Sequence, residues 1–582
     1  MDIPSYLDFL SEDLLHELAA HSDPVPGVPG LLVARGLREA FPNIETPEAL
    51  QFVCDVYRGT RDALNKVLTQ RKIDREFIDE TTRSFVQTNA KLDFHSPDYR
   101  TVIGHRDEHG RVVVGPHSEP PTPKSVHVPP RFCGPQVTLF GPPDTVKLSI
   151  NAMNALHRKL PNESERVAQL VERANTVPRW GADNEDSKTP IMRNFLAACE
   201  NLMGCYDGTL ALDDPSSLKR YRLTQTGRSI PIKRFPGLAI PDGNHLLDGN
   251  PLPLHLFDFA MHMFHNCTRA ESLVFYVPKL ENEEEAHYLR ELIEFTEIKI
   301  REILPEYRLG SVRLFIVFEN PRAIFRIREI ANALHPYFLG GSLGWHDFLA
   351  STARIFKHDP RYRIPVKADP NIVINHIRES HKILVESLGA CGGITIGGMY
   401  GVLYEDNNPE SFQVSMVGYI KDVTTQLKRG LHGFWVAHPD FVRIGIALTQ
   451  AWNEFQADPS SNVLRELVVE LVPDATEHVR LLEFIFDDDV PGLDANDPLY
   501  PRAVLAATLE KSDVIANDDP KEVRYNVFQA LQYIADWLCG NGCVALPATM
   551  RNARGQDVVV RVMDDLANDE RSRWSFGPRF FT

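Results

Sequence analysis

Through the middle of the chain, short apolar and β-branched runs alternate with longer segments of helical periodicity. The expected strands are PRWGAD (178–183), SIPIKR (229–234), LVFYVPKL (273–280), VRLFIVFE (312–319), YFLGGSLG (337–344), YRIPVKAD (362–369), GGITIGG (392–398) and GFWVAHPD (433–440). Between them, NEEEAHYLRELIEFTEIKIREIL and PNIVINHIRESHKILVESLG repeat apolar residues at helical spacing. Buried strands alternating with helices imply a parallel sheet covered on both faces. Eight such units predict an α/β fold of the (β/α)8 TIM-barrel type rather than an open sheet.

The flanks differ. Residues 1 to about 115 read as helical, with TPEALQFVCDVYRGTRDALNKVLTQ periodic and Thr46 placed to start the helix. The stretch GPHSEPPTPKSVHVPPRFCGP reads as a Pro-rich linker. From about residue 456 helical character returns, strongest in VRYNVFQALQYIADWLCGNG. Three parts are expected: an N-terminal helical clasp with its linker (1–130), the barrel (131–455) and a C-terminal helical domain (456–582). A chain of 582 residues suits this division, because single cores stop growing near 250–300 residues.

Composition narrows the function classes. Lys and Arg total 62 against 79 Asp and Glu, a net charge of −17, which argues against a nucleic-acid or membrane-surface partner. No apolar run approaches the roughly 20 residues of a membrane span, and the acidic start MDIPSYLDFLSEDLLHEL lacks the basic region of a secretory signal. The end, RFFT, matches no retention or peroxisomal address, so a cytoplasmic protein is expected. Eight scattered cysteines without a C-x-x-C pair read as free thiols of a reducing compartment.

In a TIM barrel, chemistry gathers where strands end. Here those ends carry Asp183 and Glu185, Arg234, Lys279 and Glu281, Glu319, Asp347, Asp369, and His438 with Asp440. Any one such carboxylate is as readily a helix cap or a loop ion pair. As a set, several carboxylates around one arginine form a constellation for a metal and an anion, and hard oxygen ligands point to Mg2+ rather than zinc. His262 and His265 in HMFHN read as satisfied core histidines. The run ENEEEAH reads as a solvated helix start, and GGITIGG as close packing at a strand end or passage for a CoA arm.

The segments NHLLDGNPLPLHLFDFAMHMFHN, FYVPKLENEEEA, FIVFEN, GSLGWHD, GGITIGGMYG, LHGFWVAHPD and NVFQALQYIADWLCGNGCV resemble, in this order, the malate synthase family in its shorter, cytoplasmic-type isoform. The resemblance runs from about residue 131 to the end. It implies Mg2+-dependent Claisen condensation of acetyl-CoA with glyoxylate, then thioester hydrolysis to malate and CoA. The alternatives are a related condensation or cleavage with another 2-oxo acid or a malyl-CoA-type thioester, or a catalytically silent paralogue that binds CoA or a partner. Oligomeric state is not implied.

The family's residues carry over onto matching positions. Its catalytic arginine falls on Arg234 in IPIKRFPG, and its metal-binding glutamate and aspartate fall on Glu319 in VFEN and Asp347 in GWHD. Amides around Gly344 and His346, beside Trp345, would hold the glyoxylate carboxylate. The family's Asp-Phe-Glu-Asp cluster matches Asp183-Asn184-Glu185-Asp186, with Glu185 partnering metal-bound water. The general base falls on Asp565 of Met563-Asp564-Asp565, followed in step by Glu570. The segment ATMRNARGQDVV intervenes before it, and a gapless alignment would instead place Asn552 there. An amide cannot accept the proton.

Overall fold

The computed structural model describes residues 4–88, 120–160, 162–185, 191–215, 218–355, 357–358, 376–490, 492–496 and 545–563. It also describes 504, 520, 524, 527–528, 531, 535 and 538–539. The N-terminal part contributes β1 (Ser22–Pro24), β2 (Leu31–Ala34) and the long helix Pro47–Thr88. That helix starts where the sequence placed it: the Thr46 hydroxyl accepts the Ala49 amide at 3.2 Å.

Next come β3 (Gln136–Gly141) and β4 (Arg179–Asp183), an outlying hairpin of β5 (Ala211–Asp214) and β6 (Lys219–Arg222), then β7 (Ile230–Arg234). They are followed by β8 (Pro241–Leu247), β9 (Asn250–Pro253), β10 (Val274–Val277), β11 (Arg313–Phe318) and β12 (Phe338–Leu343). The order finishes with β13 (Ile394–Tyr400), β14 (Val402–Leu403), β15 (Gly433–Val436), β16 (Ala545–Arg551) and β17 (Asp557–Met563).

Eight parallel strands close a barrel in the order β3, β4, β7, β10, β11, β12, β13, β15, with β15 pairing back onto β3. Seven of the eight expected strands are present. The missed one is Gln136–Gly141, whose Thr138 and flanking glycine disguise a buried run. The segment 362–369 lies outside the described residues, and the barrel closes without it because β12 pairs directly with β13.

Alternation along each strand divides two environments. Inward residues Ile232, Val274, Tyr276, Phe315, Val317, Leu339, Ile394, Ile396 and Trp435 fill the barrel, and Phe132 joins them just ahead of β3. Outward residues such as Phe275, Val277, Leu314, Ile316 and Phe318 pack against the surrounding helices. Continuing the period to the strand ends sends Asp183, Arg234 and Glu319 to the barrel mouth.

Two corrections concern the flanks. The N-terminal part is not helical throughout, because β1 and β2 join β8 and β9 in a four-stranded antiparallel sheet. The C-terminal part is not helical throughout either: β16 and β17 form a hairpin that pairs with β14 just beyond the barrel strand β13. Among the described residues, no helix is long and apolar enough to cross a membrane.

A buried charged triad joins the N-terminal part to this sheet. On β8, the imidazole of His245 pairs through Nδ1 with Asp242 (2.5 Å) and through Nε2 with Glu45 (2.7 Å), all three fully or nearly fully buried. Burial opposes the imidazolium, yet Asp242 and then Glu45 outweigh it and hold the His245 pKa up at about 10. A raised pKa means this stabilisation is complete below the unfolded value near 6.5 and is lost as pH climbs through about 10. At roughly 1.4 kcal/mol per unit, a few kcal/mol are at stake. The Tm gap between the parent protein and His245→Asn should therefore narrow steadily from neutral pH to about pH 10.5. A gap that holds constant in circular-dichroism melts would exclude the linkage.

Candidate active site

Parallel pairing sets the mouth. Asp183 lies opposite Arg234 in the β4–β7 register, and Tyr276 lies opposite Arg234 on the other side. The Arg234 guanidinium is buried and reaches Glu185 Oε2 at 2.5 Å, Asp183 Oδ2 at 3.5 Å and Glu319 Oε2 at 3.9 Å. Asp183 also accepts the Glu185 amide through Oδ1 at 2.9 Å, which folds the chain after β4 back over the mouth.

Lys279 completes the set, and the sequence had marked it only as a strand-end charge. It follows Pro278 in a left-handed conformation (φ +56°), which turns its side chain into the mouth. Its Nζ lies 2.8 Å from Glu185 Oε1 and 3.2 Å from Asp347 Oδ2, while its backbone amide donates to Glu319 Oε1 at 2.8 Å. Lys279 thus touches three of the four carboxylates. No pattern of residue types signals a positive φ at a lysine, so this contact was not legible in the sequence.

Asp347 stands in the first turn of the helix Trp345–Ile355, which begins directly after β12. First-turn amides have no acceptor within their own helix and favour anions. The Gly344 amide, expected to help hold a substrate carboxylate, donates instead to the Phe318 carbonyl at 3.2 Å. Gly344 has a different part. A Cβ there would lie 2.3 Å from Glu319 Oε2, so only glycine lets this backbone pass the glutamate. The backbone of His346 sits in the same turn, and its side chain lies outside the described residues, as does Asp565.

The loop after Lys279 is pinned from the N-terminal side. Arg71, on the helix Pro47–Thr88, donates to both oxygens of Glu285 at 2.7 Å, and Glu285 accepts the Glu281 amide at 2.7 Å. Glu281 faces Arg71, Arg75 and Arg322; burial would raise its pKa, but these arginines outweigh it and bring it to about 2. Glu281 and Glu285 are only 4% and 1% exposed, so these two acids of the ENEEEAH run form a buried ionic clamp, while Glu284 and His287 stay exposed at the helix start. His262 and His265 are core histidines as expected, facing the Ser272 and Ile44 carbonyls at 3.0 and 2.8 Å.

A divalent ion fits the donor chemistry of this mouth. Four carboxylates (Asp183, Glu185, Glu319, Asp347) converge on two cations (Arg234, Lys279), leaving two formal negative charges for one Mg2+ to balance. Among the described residues, no three or more His, Cys, Asp or Glu side chains already form a ready metal-binding group. Mg2+ needs fewer, since it usually takes one or two carboxylates and completes its shell with water and substrate oxygens.

Fold and site together define a (β/α)8-barrel protein with an acidic, arginine-containing centre at the strand C-termini. A family model described as the malate synthase TIM barrel domain matches residues 231–463. Malate synthase A of Escherichia coli (strain K12) is 23% identical over 534 residues, covering 91% of this chain and 83% of that protein. The glyoxysomal malate synthase of Glycine max is 25% identical over 540 residues, covering 91% of this chain and 80% of that protein. A solved Haloferax volcanii malate synthase, described as a pyruvate/acetyl-CoA ternary complex, aligns at 14% identity with a TM-score of 0.41. That alignment covers 75% of this chain and 90% of the other. The chain is thus similar to malate synthases over most of its length, and its barrel matches their TIM barrel domain.

Proposed function

We propose that the protein catalyses the Mg2+-dependent condensation of acetyl-CoA with glyoxylate, releasing malate and CoA. The observation that carries this reading is the convergence of Arg234, Lys279 and four carboxylates at the barrel mouth. Glu319 and Asp347 are the proposed metal ligands. Bound there, Mg2+ would supply Lewis-acid polarisation of the oxo-acid carbonyl and fix its orientation.

The protein's own groups do the rest. Asp565 removes a proton from the acetyl methyl group, which requires the thioester enolate to be stabilised as it forms. Arg234, permanently charged and forked, faces that oxygen, held in orientation by Asp183 and Glu185. The first-turn amides of the helix Trp345–Ile355 receive the oxo-acid carboxylate beside Trp345. Carbon–carbon bond formation gives malyl-CoA, and hydrolysis of its thioester drives the sequence forward.

Support for Asp565 comes from the hairpin. Val562 pairs with Val402, two residues beyond the end of barrel strand β13, so the chain arrives at the rim at Met563. Two further residues span at most about 7 Å. Asn552, the rival position, sits at the opposite tip of the hairpin, its Oδ1 accepting the Arg554 and Gln556 amides at 3.0 Å. It is a turn residue.

Cytoplasmic residence belongs to the same proposal, supported by the described cysteines, all of which are free thiols. The deciding assay follows release of the CoA thiol with glyoxylate, pyruvate and a longer 2-oxo acid, with Mg2+ or with a chelator. Release is expected with glyoxylate and Mg2+, and its loss with the chelator. Preference for another oxo acid would move the substrate assignment, and no release with any of them would end the proposal in favour of a silent, CoA-binding paralogue.

A further inference from the structure

We propose that Asp258, on the helix Leu254–Asn266 outside the barrel, is a positioning residue that sets the spacing of Arg234 from Asp183 and Glu185. The inference rests on the reaction proposed above. Strands β4 and β7 run side by side to their ends, and the ladder continues one step further, with the Asn184 amide donating to the Arg234 carbonyl at 3.0 Å. Alternation turns Asp183, Glu185 and Arg234 toward the mouth. The residues between and beside them, Asn184 and Lys233, therefore face away from the barrel axis.

Both meet the same carboxylate. Lys233 Nζ donates to Asp258 Oδ1 at 2.7 Å, and Asn184 Nδ2 donates to Oδ1 and Oδ2 of Asp258 at 3.1 and 3.2 Å. Cys199 Sγ lies 4.0 Å from the same ammonium. Lys233 is 0% exposed, Asp258 1% and Asn184 3%. Burial works against the Lys233 charge, but Asp258 outweighs it and the lysine stays protonated.

Stability alone is a poor reason for this arrangement. Comparable outward positions on nearby strands hold apolar residues, namely Ala182, Val277 and Phe318. A buried ion pair is commonly replaced by well-packed apolar side chains without loss of stability. What apolar packing cannot supply is direction. One carboxylate bonded to residue 233 and to residue 184 ties the backbone just before Arg234 to the backbone between the two acids.

The test pairs Lys233→Met with Asp258→Leu, which removes both charges together. The Tm should stay close to the parent's, while kcat falls roughly 10- to 100-fold, as misplacement of catalytic groups by about an ångström does. KM for acetyl-CoA should change less than about threefold, since the defect lies in orientation and not in CoA binding. A crystal structure of the pair should show the Arg234–Glu185 contact opened. Parent-like kcat, or an unchanged Arg234–Glu185 distance, would overturn the proposal. If the pair does not fold, Asn184→Ala leaves the ion pair intact and removes only the amide tether. It should lower kcat severalfold at unchanged Tm, and parent-like kcat there overturns the proposal equally. Should the parent itself condense nothing, the proposed reaction fails, and the crystallographic comparison still decides whether Asp258 holds the spacing.

Discussion

Arg234→Lys is expected to lower kcat by about 10²–10³-fold while KM for acetyl-CoA moves far less, the pattern of a lost transition-state contact. The guanidinium uses its fork: one terminal nitrogen faces Asp183 at 3.5 Å, and the other faces Glu185 at 2.5 Å and Glu319 at 3.9 Å. An ammonium is a point charge on a flexible four-carbon stem and cannot hold that plane while also facing a developing enolate oxygen. Lys279 already supplies such a point charge nearby, so a second lysine adds charge without geometry. Steady-state kinetics with saturating Mg2+ decide the matter. Activity within threefold of the parent would remove Arg234 from the centre of the mechanism.

Asp565→Asn should be at least as damaging, with kcat reduced about 10³-fold or more, the upper range for loss of a general base. Mg2+ affinity, measured by calorimetry without substrates, should be unchanged, because the proposed ligands Glu319 and Asp347 come from barrel elements. Asn552→Ala is the paired control. Its side chain caps the turn that closes the β16–β17 hairpin, seven residue pairs from the rim, so kcat should stay within about twofold. If Asn552→Ala abolished turnover and Asp565→Asn did not, the alignment of the C-terminal segment would have to be redrawn.

The barrel was legible because buried strands and amphipathic helices differ in period, and seven strands carried that signal. Gln136–Gly141 did not: Thr138 faces inward among aromatic neighbours, and a reader of residue types takes a polar residue between Pro-rich and Gly-rich segments for loop. The charged residues at strand ends were equally visible, and Arg234, Asp183, Glu185, Glu319 and Asp347 do come together. Lys279 was seen but given no part, since its reach depends on a left-handed backbone. Two arginine partners of Glu285 and Glu281, Arg71 and Arg75, were invisible for another reason. They lie more than two hundred residues earlier, on the helix Pro47–Thr88, and no local pattern couples such distant charges. The hairpin 545–563 fell in a part expected to be helical, with ATMRNARGQDVV read only as an intervening segment. Only its pairing with Val402 and Leu403 shows why the chain makes that detour.

The joint between β3 and β15 has a consequence for biosynthesis. A ribosome delivers Gln136–Gly141 roughly three hundred residues before Gly433–Val436, the strand that covers its outer edge. Throughout that interval the nascent sheet carries an unpaired strand edge, whose free N–H and C=O groups are a template for pairing with other chains. Fragments ending short of residue 436 should consequently aggregate, and a circular permutant opened inside the hairpin loop between β5 and β6 would shift the moment of ring closure without touching the catalytic mouth.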